Sequence, residues 1–107
     1  MTESIRDRKS LKAIGHNLKP IVTVADNGLS SNVLAEIQRA LAQHELIKIR
    51  VLATDRETKQ ALLDELTKVL DAECVQKIGH VMLLYRAAEK PDARLSNVLR
   101  HKQMVQN

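Results

Sequence analysis

A chain of 107 residues, 44% apolar and 28% charged, with a net charge of +4, has room for one hydrophobic core and reads as a small globular domain. No apolar run reaches the roughly 18 residues of a bilayer span, and residues 1–10 are too polar for a secretory signal, so a cytoplasmic location is expected. Cys74 stands alone, which rules out an internal disulfide and leaves stability to the core.

The charge is unevenly spread. Residues 1–20 hold five Lys/Arg against two acids, residues 21–86 eight against nine, and residues 87–107 four against two. A nearly neutral body with basic ends favours a polyanionic partner, nucleic acid above all.

The elements follow in order. Ile5 to Ile14 has the pattern of a basic amphipathic helix, with Leu11 and Ile14 on one side among Arg6, Arg8, Lys9 and Lys12, and Gly15 ends it. Pro20 opens a short strand, "IVTV". The stretch "ADNGLSS" then turns into a helix capped by Ser30 and running to about Gln43, with Val33, Ile37 and Leu41 on one face and Leu34 beside them. "LIKIRVL" alternates Ile47, Ile49 and Val51 against Lys48 and Arg50, a strand with one buried and one basic face. Thr54-Asp55-Arg56-Glu57 has capping-box spacing and starts a second long helix, with Leu62, Leu66, Val69 and Leu70 expected inward. "CVQKI" and "VMLLY" form a hairpin about Gly79-His80, where glycine in the first central position suits a type II′ turn. Beyond Arg86 the pattern fades. Residues 87–107 are a basic extension, a short helix or a flexible tail.

Catalytic constellations are missing from this pattern. His44-Glu45 begins like a zinc-protease motif, but Lys48 occupies the second ligand position and the segment alternates as a strand. The four histidines are scattered, so no metal site and no cofactor are expected. Cys74 opens an apolar strand and reads as a small hydrophobe. Tyr85 is the sole residue of the Phe, Trp and Tyr class, which excludes a base-stacking platform. Recognition of nucleic acid would then run through phosphates and sugars, with basic side chains and a close-approach turn at Asn27-Gly28. The plain alternative for that turn is a strand-to-helix connection.

The string from Leu11 to Leu66, with "VQKIGHVMLLYR" after it, resembles the CRM domain, the chloroplast RNA-splicing and ribosome-maturation family, and most of all its bacterial single-domain YhbY-like members. Carrying the resemblance are Leu18-Lys19-Pro20, Gly28-Leu29, "HELIK" at His44 to Lys48, "DRETK" at Asp55 to Lys59 and "LYR" at Leu84 to Arg86. It implies an α-β-α-β-α-β-β domain over residues 1–86, a four-stranded mixed sheet packed by three helices, similar to the C-terminal domain of translation initiation factor three. It implies no enzymatic activity. Bacterial members associate with precursors of the large ribosomal subunit, so the expected partners are structured RNA, large-subunit ribosomal RNA and pre-ribosomal particles. Where the family carries a Gly-x-x-Gly loop likened to that of KH domains, this chain reads Ala25-Asp26-Asn27-Gly28. The first glycine is replaced, and Asp26 adds a negative charge.

The candidate RNA-binding set is therefore Lys12, Lys19, Asn27, Gly28, Lys48, Arg50, Arg56, Lys59 and Arg86, on a monomer. Each basic member could instead be a solvated surface charge. The second function class is a protein-interaction module that docks on a ribosomal protein or assembly factor through the sheet or through Leu95, Val98 and Leu99.

Overall fold

The computed structural model describes residues 2–25, 29–88 and 96–98, with side chains from residue 8 onward. Its elements are α1 (Thr2–Gly15), β1 (Pro20–Val24), α2 (Ser31–His44), β2 (Leu46–Val51), α3 (Arg56–Leu70), β3 (Glu73–Ile78) and β4 (Val81–Tyr85). This is the expected α+β order, with α1 beginning earlier than its apolar pattern does.

The four strands make one mixed sheet in the order β1-β2-β4-β3. β1 and β2 are parallel and joined through α2, while β4 is antiparallel to both β2 and β3. Ser30 caps α2, its hydroxyl accepting the Val33 N–H at 3.1 Å. For α3 the cap is Asp55, one residue beyond the threonine that opens the expected capping box, and its carboxylate accepts the Thr58 N–H at 2.6 Å. A carboxylate adds charge to the hydrogen bond at the positive end of the helix, which a hydroxyl cannot. Gly79 has φ 59°, and no positive φ is found at His80. A type II′ turn requires that combination, whereas type I′ needs a positive φ at both central residues.

Two apolar layers sandwich the sheet. On one side Ile37 and Leu41 of α2 and Leu62, Leu63, Leu66 and Leu70 of α3 pack on Val22, Val24, Ile47, Ile49, Val51, Met82 and Leu84. On the other, Leu11 and Ile14 of α1 pack on Leu46, Val75 and Leu83, joined by Leu18, Tyr85 and Val98. Val69, expected inward, is 56% exposed. At about 100° per residue the buried arc of α3 runs from Leu62 to Leu63 through Leu66 and Leu70, and Val69 falls just outside it beyond Leu62.

Along β2 the α1-side positions pass from buried at Leu46 through half-buried at Lys48 to exposed at Arg50. The opposite positions, Ile47, Ile49 and Val51, are at most 1% exposed. Cover by α1 thus ends partway along the sheet and leaves its far half open to solvent.

Candidate nucleic-acid interface

The open half of the sheet is built by the alternation of β2. Because Ile47, Ile49 and Val51 must face α2 and α3, Lys48 and Arg50 are forced to the other side. Their cross-strand neighbours share that side: Pro20 and Leu83 flank Lys48, and Thr23 and Val81 flank Arg50. The acid on this face of the described strands is Glu73, at the β3 start, and Arg8 neutralises it across 2.7 Å. Lys77 lies opposite Met82 and so belongs to the α3 side, where it donates to Gln60.

At the carboxyl ends of β1 and β2 lies a cleft of about 430 Å³ lined by Ala25, Leu52, Ala53, Thr54 and His80. The starts of α2 and α3 follow the two strand ends directly, yet each already gives a first-turn N–H to its own cap. The Asp55 carboxyl is held below the usual carboxylate value, first by the Thr58 N–H and then by the Thr58 side chain. It therefore stays charged beside α3 and opposes an anion at that helix start. His80 Nδ1 lies 3.2 Å from the Val51 carbonyl oxygen, tying the hairpin to β2.

The candidate basic residues separate into groups. Lys19 and Lys48 border one small depression near the start of β1, and Arg50 follows Lys48 on the same strand face. Lys12 is exposed on the last turn of α1. Arg56 is exposed at the start of α3. Lys59 is tied to the hairpin, its Nζ donating to the Gly79 carbonyl at 2.9 Å. Arg86 is held by the fold itself: its guanidinium donates to Gln38 Oε1 at 2.6 Å, to the Leu70 carbonyl at 3.0 Å and to the Gln38 carbonyl at 3.4 Å. It joins α2 and the end of α3 to the strand that precedes it. Asn27 and Gly28, with Asp26, lie outside the described residues.

Glu45, Ser96 and Asn97, which no local pattern groups, come together at the end of β2 opposite the cleft. Glu45, with φ 62°, is the single-residue link between α2 and β2, and it is 5% exposed. Its carboxylate accepts the Ala88 N–H at 2.8 Å and the hydroxyl of fully buried Ser96 at 2.5 Å. Asn97 then donates from Nδ2 to the Leu46 carbonyl at 2.6 Å. A local hint was present, since Glu45 lies between a helix and an apolar strand, but its partners are about fifty residues away. Tyr85 packs in the α1-side layer, in keeping with the expected lack of a stacking platform. Burial raises the Cys74 thiol pKa, which makes it a poor nucleophile.

Comparison with known proteins places these features in context. Residues 4–86 match the model of the CRS1 / YhbY (CRM) domain. A probable RNA-binding protein of Pseudomonas aeruginosa is 48% identical over 93 residues, spanning 87% of this chain and 89% of that one. An RNA-binding protein of Haemophilus influenzae is 44% identical over 94 residues, spanning 88% and 95%. The solution structure of a Staphylococcus aureus protein, described as a candidate RNA binder, superposes with a TM-score of 0.70 at 29% identity, covering 79% of this chain and 88% of that one.

Proposed function

The chain belongs to the CRS1 / YhbY (CRM) domain family, and from that premise we propose that it binds structured RNA, specifically ribosomal RNA of precursor large subunits, and assists their assembly in the cytoplasm as a monomer. The relatives' names support RNA as the ligand. The observation that carries the reading is the open half of the sheet, where Lys48 and Arg50 project from a strand whose other face is sealed in the core. The strand sets the Cα atoms of the two residues about 6.6 Å apart along its axis, so both side chains leave from the same face. RNA phosphates dock on this pair, with Lys19 and Lys12 extending the positive surface on one side and Arg56 and Lys59 at the other end. Asn27 and Gly28, the close-approach pair expected from the sequence, complete the proposed set of contacts to the RNA backbone. Affinity comes from charge and shape, consistent with the packing of Tyr85 into the body. Arg86 is assigned to the fold, because its donors are taken by Gln38 and Leu70.

The protein-docking alternative is less favoured. Val98, one of its three apolar anchors, packs against the protein's own α1-side layer, and Leu95 and Leu99 lie outside the described residues.

The test is in-cell crosslinking with sequencing of the bound RNA, for the natural chain and for Lys48→Ala/Arg50→Ala. Crosslinks concentrated in large-subunit ribosomal RNA and lost in the double variant are expected. In vitro, the slope of log affinity against log salt should flatten by roughly 0.7–0.9 per lost phosphate contact. An unchanged slope would remove the strand face from the interface, and absence of RNA enrichment would remove RNA as the ligand.

A further inference from the structure

A second depression lies at the opposite end of β1 and β2 from the strand-end cleft. It has a volume of about 210 Å³, and its lining includes Leu18, Lys19, Ile21, His44, Lys48 and Asn97. Four separate stretches of chain meet there: the connection into β1 with its first residues, the end of α2, β2, and the short C-terminal segment at residues 96–98. That segment is fixed from below. Ser96 is fully buried on the Glu45 carboxylate, and Asn97 is bonded to the Leu46 carbonyl. The bond to Leu46 uses one of the two donors of the Asn97 carboxamide, and the group also carries an acceptor oxygen.

The chemistry of this lining differs from that of the strand face. Two ammonium groups beside aliphatic surface suit a ligand that has an anionic part and a flat apolar part. Ile21 is half-exposed at 50%, so apolar surface is available there for a ring to cover. The volume falls below the roughly 300–1,000 Å³ of pockets that enclose a whole small molecule. One unit of a longer polymer fits that size better than a free metabolite. Lys48 also belongs to the proposed phosphate-docking face, so a strand lying along β2 reaches the depression without leaving the surface.

We propose that this depression seats one unpaired nucleotide of the bound RNA, with its phosphate between Lys19 and Lys48, its base against Leu18 and Ile21, and the Asn97 carboxamide on the base edge. The proposal rests on the RNA-binding reading above and adds a preference to it. An unpaired base can enter the seat, whereas a paired base in an A-form helix presents only its groove edges. The C-terminal segment is thereby part of the binding surface, held in place by Glu45 through Ser96.

The test compares affinity of the full chain for a single-stranded oligoribonucleotide and for a duplex of the same length. The natural chain should prefer the single strand, and Asn97→Ala should lower that preference by roughly three- to tenfold, the worth of one or two hydrogen bonds. Because Asn97→Ala could also loosen the C-terminal segment, Lys19→Gln on an exposed side chain is measured beside it and should lower the preference too. Amide NMR of the isotope-labelled natural chain provides the direct readout: the single strand should move the Leu18, Lys19 and Ile21 amides and the Asn97 side-chain NH₂ signal. If RNA binds while these signals stay still, or both variants keep the natural preference, the seat is overturned and the RNA reading stands. If neither RNA binds, the underlying reading fails, and the seat with it.

Discussion

A β-carbon built on Gly15 would lie 2.5 Å from Cδ2 and 2.7 Å from Cδ1 of Leu83, so the last residue of α1 is a glycine because the helix presses onto β4 at that point. Leu83 is 2% exposed among Leu11, Ile14, Leu46 and Val75 and has no open side to move toward. Gly15→Ala should therefore destabilise the fold by about 1–3 kcal/mol through overpacking, despite the better helix propensity of alanine. Thermal unfolding should fall by roughly 4–8 °C per kcal/mol. An unchanged or raised midpoint would mean that the glycine only ends the helix.

Arg86 offers a contrast between fold and function. Its guanidinium connects Gln38 of α2 with the last carbonyl of α3, and its own N–H donates to the Glu45 carbonyl at 2.9 Å. Arg86→Met keeps much of the aliphatic stem and loses these side-chain bonds, with an expected cost of roughly 1–3 kcal/mol in urea unfolding. The salt slope of RNA binding should stay at the natural value. A flattened slope with intact stability would return Arg86 to the interface.

Acid unfolding should report on Asp55. Its carboxyl titrates below the ordinary value of 3.8 in the folded chain, chiefly because it accepts the Thr58 N–H. A folded pKa below the unfolded one gives stabilisation that is complete above the unfolded value and is lost as pH falls through the folded value. The comparison is with Asp55→Ser, which can cap α3 without titrating. Urea unfolding followed by circular dichroism should show the natural chain losing ground to the variant below about pH 4, with a constant difference above about pH 5. A difference that does not change across that range would mean that the carboxylate does not stabilise the charged cap.

What could be read from sequence divides by range. β2 was legible because alternation is local: Ile47, Ile49 and Val51 fix where Lys48 and Arg50 point. The Ser30 cap and the Gly79 turn were legible for the same reason, as each depends on residues at most three apart. Asp55 in place of Thr54 is a one-residue shift between two good caps, which spacing alone does not separate. Gly15 was legible as a helix end, but its contact with Leu83 depends on how α1 crosses the sheet. Arg86 looked like any exposed cation, since its partners are 48 and 16 residues away. The Glu45–Ser96 pair spans 51 residues, so the position of Glu45 between a helix and an apolar strand gives no pointer to its partner.

Asp71 caps α3 with φ 53°, a left-handed backbone on a residue that also places a negative side chain at the negative end of the helix. The two features can be separated. Asn tolerates the left-handed region as readily as Asp but carries no charge, so Asp71→Asn should raise stability by about 0.3–1 kcal/mol at low ionic strength. Salt should erase that gain by screening the charge from the helix end. Asp71→Gly removes the charge and the steric penalty of the β-carbon together, so part of its gain should persist in salt. Urea unfolding at low and high salt checks both. If Asp71→Asn stabilises equally at both, the charge is irrelevant. If neither substitution stabilises, the Asp71 side chain makes a compensating contribution at the turn into β3.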